Sequence, residues 1–244
     1  MKIIVSFGGG TNSTAMLVGM RERNIVPDAI VFADTKGEKP HTYEHLIDVN
    51  KWTLLNGFPI ITVVSNEKAS RKGGLENMCL EAHSLPSIAY GFKTCSLIFK
   101  KEPFDDWIKA KEITDYERWV GFDAGESRRA KVFDGTRYPL IEWGWTRKDC
   151  IEAIRRAGLK QPGKSSCFFC PSSKKQEVLQ LRKDYPELAA RAVTMEKNAI
   201  LTEIKGLGRN YAWADLYKAD DDQGKLFEET DLPIICECFD GDCN

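Results

Sequence analysis

Short apolar runs alternate with longer amphipathic segments through the first quarter of the chain. Residues 2–5, with Ile3-Ile4-Val5, read as a buried strand. Ala29–Ala33 (AIVFA) reads as a second strand and residues 59–64 as a third. Between them, residues 14–23 and 41–55 read as helices, the latter carrying Leu46, Val49, Trp52 and Leu55. This is the βαβαβ rhythm of an α/β fold, a parallel sheet with helices on both faces. Further on, 104–110 reads as a helix and 118–122 (RWVGF) as a strand. A helix over 147–157 has Thr146 as its cap and Gly158 as its stop. Residues 173–183 and 185–199 read as two more helices. Residues 66–94 read as irregular, a lid or substrate loop with Gly73-Gly74 as a hinge and Lys68, Arg71 and Lys72 available to an acidic substrate. From Leu207 onward the chain mixes glycines, aromatics and charges and ends in three cysteines. The expected organisation is an α/β domain over residues 1–185 with a C-terminal helical and cysteine-rich extension over 186–244, packed on it.

Composition narrows the function classes. In 244 residues, 42% hydrophobic, Lys+Arg 35 nearly balance Asp+Glu 36. A net charge of -1 gives no global drive toward nucleic acid or membrane, although a local basic patch is compatible with it. MKIIVSF runs straight into a glycine turn without a long apolar segment, which reads as no signal peptide. No run approaches the ~18 apolar residues of a membrane span. A cytoplasmic protein with no membrane partner is therefore expected. The eight cysteines are Cys79, Cys95, Cys150, Cys167, Cys170, Cys236, Cys238 and Cys243. Grouped as C-x-x-C and C-x-C in an α/β pattern, they point to metal, iron–sulfur or redox chemistry rather than a disulfide scaffold. Cys79 and Cys150 read as packed thiols. His41 and His45, four apart on one helix face, read as solvent-facing or capping groups rather than metal ligands.

The sharpest chemical signal is SFGGGTNS, Ser6 to Ser13, between the first strand and the first helix. Gly8, Gly9 and Gly10 permit close backbone approach. Ser6, Thr11, Asn12 and Ser13 add short polar groups. A nest of N–H groups at a helix N-terminus suits phosphate or pyrophosphate. The run is neither a Walker A motif nor a dinucleotide fingerprint. The second signal is Cys167-Phe-Phe-Cys170-Pro171, whose turn brings two thiolates toward one metal or cluster.

Ser6–Ser13 resembles the pyrophosphate loop, SGGxDS, of the ATP-pyrophosphatase (PP-loop) or adenine nucleotide alpha-hydrolase superfamily. Within it the chain is most similar to the phosphoadenosine phosphosulfate (PAPS) reductase-like family. Gly9, Gly10 and Ser13 match, while Gly8 stands where Ser is usual and Asn12 where Asp is usual. After the second strand, DTKGEKPHTYEH (Asp34 to His45) is similar to the family's D-T-G-x-E-x-P-x-T, with Gly37 one position late. WVGFDAGESRRAK (Trp119 to Lys131) resembles G-x-x-x-x-E-S-x-x-R, with Glu126, Ser127, Arg128 and Arg129. YPLIEW (Tyr138 to Trp143) resembles Y-P-L-x-x-W, read as structural. The blocks span roughly residues 1–185.

The resemblance implies an adenine nucleotide, ATP or PAPS/APS, held by Ser6, Gly8, Gly9, Gly10, Thr11, Asn12, Ser13, Asp34, Thr35, Glu38, Glu126, Ser127, Arg128 and Arg129. Asn12, Ser13, Asp34 and Cys95 are the implied catalytic residues. Mg²⁺ is a further cofactor to weigh. Cys95, in KTCSLIFKKEP, is implied to join Cys167 and Cys170 as metal ligands for a 4Fe–4S cluster, with zinc as the alternative. Cys236 or Cys238 is a candidate fourth ligand. The tail thiols could equally form a separate zinc or redox site, or supply a nucleophile. The adjacent double cysteine of sulfonucleotide reductases is absent, since Thr94 occupies one position, and the Gly and His of their tail are absent too. The implied activity is ATP-dependent adenylation of an acceptor with sulfur transfer. The alternatives are a sulfonucleotide reductase releasing sulfite, and a nucleotide- or nucleic-acid-binding protein with reduced turnover. A nucleic-acid base, a small metabolite and sulfate all stay open as the acceptor, as does a homodimer.

Overall fold

The computed structural model describes residues 1–67, 71–130 and 135–222. The chain forms two compact units. Among the described residues, the first comprises Met1–Asp34, Glu38–Ser65 and Lys101–Ser165; the second comprises Thr35–Gly37, Asn66–Lys100 and 166–222.

The first unit is a five-stranded sheet of order β3-β2-β1-β4-β5. The strands are β1 (Lys2–Phe7), β2 (Ala29–Ala33), β3 (Ile61–Val64), β4 (Tyr116–Val120) and β5 (Thr136–Arg137). All four neighbour pairs are parallel, with Val5 registered on Ile30 and on Trp119. Side chains alternate across the sheet. Val5, Phe7, Ile30, Phe32 and Trp119 form one core with α1 (Thr11–Glu22), α2 (Pro40–Leu55) and residues Leu140, Cys150 and Ile154. Ile4 and Val31 face the other way, onto Phe104 and Ile108. Helices therefore cover both faces, which is why the central strands read as unbroken apolar runs rather than as an alternation.

Three local features shape this unit. Helix α1 starts at Thr11, three residues before the sequence pattern indicated, because the glycine turn is only Gly8–Gly10 long. Gly19 of α1 leaves room for an indole: a Cβ there would lie 2.4 Å from the Trp143 ring. Trp143 stacks edge-on with Trp119 and Trp145, and the Arg23 guanidinium lies 4.1 Å over it. The expected fourth strand is shifted two residues toward the N-terminus, ending at Val120 before Gly121.

The second unit is helical. It contains α3 (Leu75–Glu81), a short 3-10 turn (Ser87–Tyr90) and a helical turn (Thr94–Ser96) running into a π-helical stretch (Leu97–Lys101). After α4 (Glu102–Ala110), α5 (Pro139–Glu142) and α6 (Arg147–Arg156) of the first unit come α7 (Lys175–Asp184), α8 (Pro186–Asn198) and α9 (Trp213–Asp222). Phe168 and Phe169, edge-to-face at 4.7 Å, centre a core with Val178, Leu181, Ala192, Met195 and Trp213. Two expectations are corrected here. Residues 66–94 are not simply irregular, since α3 and the 3-10 turn fall inside them. Gly73-Gly74 is less a hinge than an anchored helix entry: both have positive φ, and a Cβ on Gly74 would meet the Lys36 Cβ at 2.6 Å. The chain after Leu207 also gains a helix, α9. Lys68, Lys131 and the Cys236/Cys238/Cys243 tail lie outside the described residues. Among the described residues, no helix is long and apolar enough to cross a membrane.

Candidate functional site

The strand order reverses between β1 and β4, so the loops that follow these two strands diverge at one point. In open parallel sheets, ligands bind at the carboxyl ends of the strands, at this kind of switch point. Here the loop after β1 is Gly8–Gly10, and the chain after β4 is Gly121 to Arg129.

The glycine loop is tied down from several sides. Gly9 has φ +73, and its face packs on Thr42, Phe32 and Ser165. The Ser165 hydroxyl donates to the Gly8 carbonyl. The Gly10 carbonyl accepts from the Thr14 amide (3.0 Å), the Thr14 hydroxyl (2.9 Å) and the Ser13 hydroxyl (3.1 Å). Because the Thr14 hydroxyl spends its one proton on Gly10, the contact of 2.8 Å with His45 Nε2 requires the histidine to donate. Burial holds His45 at a pKa of about 4, so the ring is a neutral donor at physiological pH. The first-turn amides of α1, which have no intrahelical partners, are left at the loop. Gly121 closes the other side: a Cβ there would stand 2.9 Å from the Ser13 nitrogen and Cα.

Three distant segments converge on Thr11 and Asn12. Asn12 Nδ2 donates to Glu126 (2.7 Å) and to Asp123 (3.0 Å). Asn12 Oδ1 accepts from Arg147 at 2.9 Å. Thr11 Oγ1 accepts from Arg147 (2.9 Å) and from Gln161 (2.6 Å). An amide serves here because it both donates and accepts; a carboxylate could not donate to Asp123 and Glu126. Asp123 is buried, caps the 3-10 turn Ala124–Arg129 and accepts from the Gly125 amide at 2.9 Å. Glu126 pairs with Arg129, whose guanidinium lies 4.7 Å over Phe122.

The other residues expected from sequence divide between this cluster and elsewhere. Gly8, Gly9, Gly10, Thr11, Asn12, Ser13 and Glu126 are brought together. Ser127 and Arg128 are exposed on the same 3-10 turn. Asp34 is buried at the end of β2 and accepts from the Tyr43 hydroxyl at 2.9 Å; burial and this carboxylate raise the Tyr43 pKa. Glu38 is buried just before α2. The Ser6 hydroxyl accepts from Arg118 at 3.2 Å, beside Phe104, on the sheet face away from α1. Arg147, Gln161, Ser165, Asp123, Gly121 and Thr14 also belong to this cluster, and the sequence alone does not mark them as site residues. Asp123 and Gly121 stood inside the motif WVGFDAGESRRAK; no local spacing marks Arg147 or Gln161. His45 is buried against Thr14, and His41 Nε2 donates to the Lys164 carbonyl at 3.3 Å.

In the second unit, the Cys167 thiol lies 3.1 Å from the Thr35 hydroxyl, and the Cys170 amide donates to the Cys167 carbonyl at 3.0 Å. The Phe168 amide donates to the Gly37 carbonyl at 2.8 Å, and a Cβ on Gly37 would meet the Phe169 ring at 2.8 Å. Ring packing thus accounts for glycine at 37. The Cys95 amide donates to Ser87 Oγ at 2.8 Å. Burial pushes the Cys79 thiol up to about 12, with Cys95 adding to the rise, and does the same for Cys150 in the first unit. The five described cysteines are unbridged. Among the described residues, no group of three or more His, Cys, Asp or Glu is placed to hold a metal ion. Cys95, Cys167 and Cys170 therefore do not form the expected ligand set among them.

No protein-family model and no curated protein matches the chain. Among solved structures, the chain is similar to the U34-tRNA thiolase NcsA from Methanococcus maripaludis with its [4Fe-4S] cluster. The identity is 14% and the TM-score 0.46, over 94% of this chain and 83% of that one. A superposition at that level carries no residue correspondence.

Proposed function

We propose that the chain is an adenine-nucleotide-binding enzyme that seats the nucleotide's phosphates on the Gly8–Gly10 loop and the first turn of α1. One observation carries this reading: at the switch point of a parallel sheet, a helix N-terminus is left open beside Thr11, Ser13 and Arg147. In this reading an acceptor oxygen attacks the α-phosphorus of ATP, pyrophosphate leaves, and a sulfur or nitrogen nucleophile then displaces AMP. The loop amides, that of Ser13 included, meet the charge that grows on the leaving phosphates. Asn12 orients Asp123, Glu126 and Arg147 around them. Asp34, Thr35 and Glu38 face the nucleotide or the acceptor, and Ser127, Arg128 and Arg129 line the phosphate side. Sulfur transfer rests on Cys95, Cys167 and Cys170. Since the described thiols do not form a metal ligand set, no step is assigned to a cluster, to zinc or to Mg²⁺.

The test is calorimetric titration with ATP and AMP, followed by pyrophosphate release from ATP over a panel of tRNA, DNA and small-molecule acceptors. ATP binding with acceptor-dependent pyrophosphate release, lost in Asp34→Asn, supports the reading. Binding without release from any acceptor leaves a nucleotide-binding protein, and no binding overturns the reading. Iron, sulfide and zinc analysis of anaerobically purified protein tests the sulfur arm. Iron and sulfide lost in Cys167→Ser support it; protein without either removes the cluster from the scheme.

A further inference from the structure

We infer that Arg147, the first residue of α6, sets the length of phosphate chain this site accepts: a tri- or diphosphate is held in preference to a monophosphate. The inference rests on the nucleotide reading above and extends it to a residue outside every sequence motif.

Arg147 carries five N–H groups, and its hydrogen bonds to Asn12 and Thr11 use two of them. Both go to neutral oxygens, Asn12 Oδ1 and Thr11 Oγ1, at 2.9 Å each. Its Nε is buried and has no hydrogen-bond partner among the described residues. The two nearby carboxylates are engaged elsewhere: Asp123 with Gly125 and Asn12, Glu126 with Asn12 and Arg129. Among the described residues, a half-buried cation therefore sits on the positive end of a 12-residue helix with no direct carboxylate partner.

Thr11 adds a further donor. Its oxygen accepts from both Arg147 and Gln161, which fills its lone pairs and leaves its own O–H to donate. Thr42, only 1% exposed, lays its methyl 3.1 Å from where a Cβ on Gly9 would be, and its hydroxyl has no partner among the described residues. Guanidinium N–H groups, the Thr11 hydroxyl and the first-turn amides thus form a surplus of donors around one helix end. A multiply charged anion satisfies such a set, and a guanidinium bridges neighbouring phosphate oxygens better than it serves a single phosphate.

The experiment is titration of the full chain with ATP, AMP and inorganic pyrophosphate, using wild type, Arg147→Ala and Arg147→Gln. Arg155→Ala serves as control; it removes an exposed Glu152 pair on the same helix. Expected for both Arg147 variants is a loss of about ten-fold or more for ATP and pyrophosphate, with AMP changed by less than about three-fold. Thermal unfolding checks that the variants are folded, and Arg147→Gln decides if Arg147→Ala is not. Unchanged ATP and pyrophosphate affinity in a folded variant overturns the role of Arg147 and leaves the nucleotide reading standing. An equal loss for ATP and AMP overturns it too, since that marks a structural effect. A wild-type protein that binds none of the three overturns both.

Discussion

Two helix N-termini in this molecule are handled in opposite ways. In the second unit, the start of α9 is closed by the protein itself. The buried Glu196 carboxylate accepts from the amides of Leu207 (2.7 Å), Trp213 (2.9 Å) and Ala214 (3.1 Å). In the first unit, no acidic residue stands in the first turn of α1; a guanidinium, an amide and hydroxyls converge there, and the carboxylates of Asp123 and Glu126 accept from the Asn12 side chain. Both ends have the same unpaired amides and the same positive dipole end. One has a carboxylate set on its backbone amides, whereas the carboxylates near the other are held on the Asn12 side chain, with the Arg147 guanidinium beside them. A closed end contributes stability, whereas an open one surrounded by donors is available for chemistry.

The largest expected effect falls on the closed end. Glu196→Ala leaves three amides without their acceptor, so a loss of about 3 kcal/mol or more is expected in urea unfolding. If the comparison holds, the residual folded protein binds ATP as wild type does. A large loss of ATP affinity at unchanged stability would break it.

Next comes the anchoring of the open end through His45. As pH falls, the unfolded imidazole takes up its proton near 6.5, while the buried native ring resists until about 4. The unfolded state therefore binds more protons in that window, and stability declines as pH drops through it, by about 2–3 kcal/mol in total. Urea unfolding at pH 7 and at pH 4.5 measures this, and His45→Gln flattens the dependence. A third effect is expected at Gly121. A methyl 2.9 Å from the Ser13 backbone must push β4 and α1 apart. Gly121→Ala then costs about 1–3 kcal/mol and, by displacing the first-turn amides, lowers ATP affinity about ten-fold. Asn12→Asp sharpens the same point. It keeps the acceptor for Arg147 but sets a third carboxylate against Asp123 and Glu126, so ATP affinity falls rather than rises.

Much of the first unit is legible in the sequence, because its central strands are short, unbroken apolar runs, the pattern of a sheet covered on both faces. The glycine loop and Glu126 are legible for the same local reason. The start of α1 is not. Thr11, Asn12 and Ser13 are poor helix formers and read as loop, and they enter the helix because Ser13 and Thr14 hydroxyls bind the Gly10 carbonyl. Helix α3, only LENMCLE, is too short for a period to show, and α9 is masked by its acid-rich ADLYKADDD. Arg147 and Gln161 reach Thr11 across 136 and 150 residues, a distance over which no local pattern carries information. The two-unit division is hidden likewise, since Thr35–Gly37 belongs with segments far along the chain.

The smallest effect tests whether closing a helix end is a local matter. Helix α6, which begins with Arg147, is closed by its own cap: the Thr146 amide and hydroxyl donate to Asp149 at 2.8 and 2.6 Å, a capping box formed within the helix. These bonds also hold the Asp149 pKa below the usual carboxylate range. Thr146→Ala removes the hydroxyl, and about 1 kcal/mol of stability is expected to go with it. Thr146→Ser keeps the oxygen and restores most of the loss. The cap bears on the open end only through the placement of Arg147 one residue later. If the guanidinium is held by Thr11 and Asn12, ATP affinity in Thr146→Ala stays within about two-fold of wild type while stability falls. If the cap positions Arg147 instead, ATP and pyrophosphate weaken together and AMP does not. The same titrations then assign the control of the open end to the start of α6 rather than to the first turn of α1.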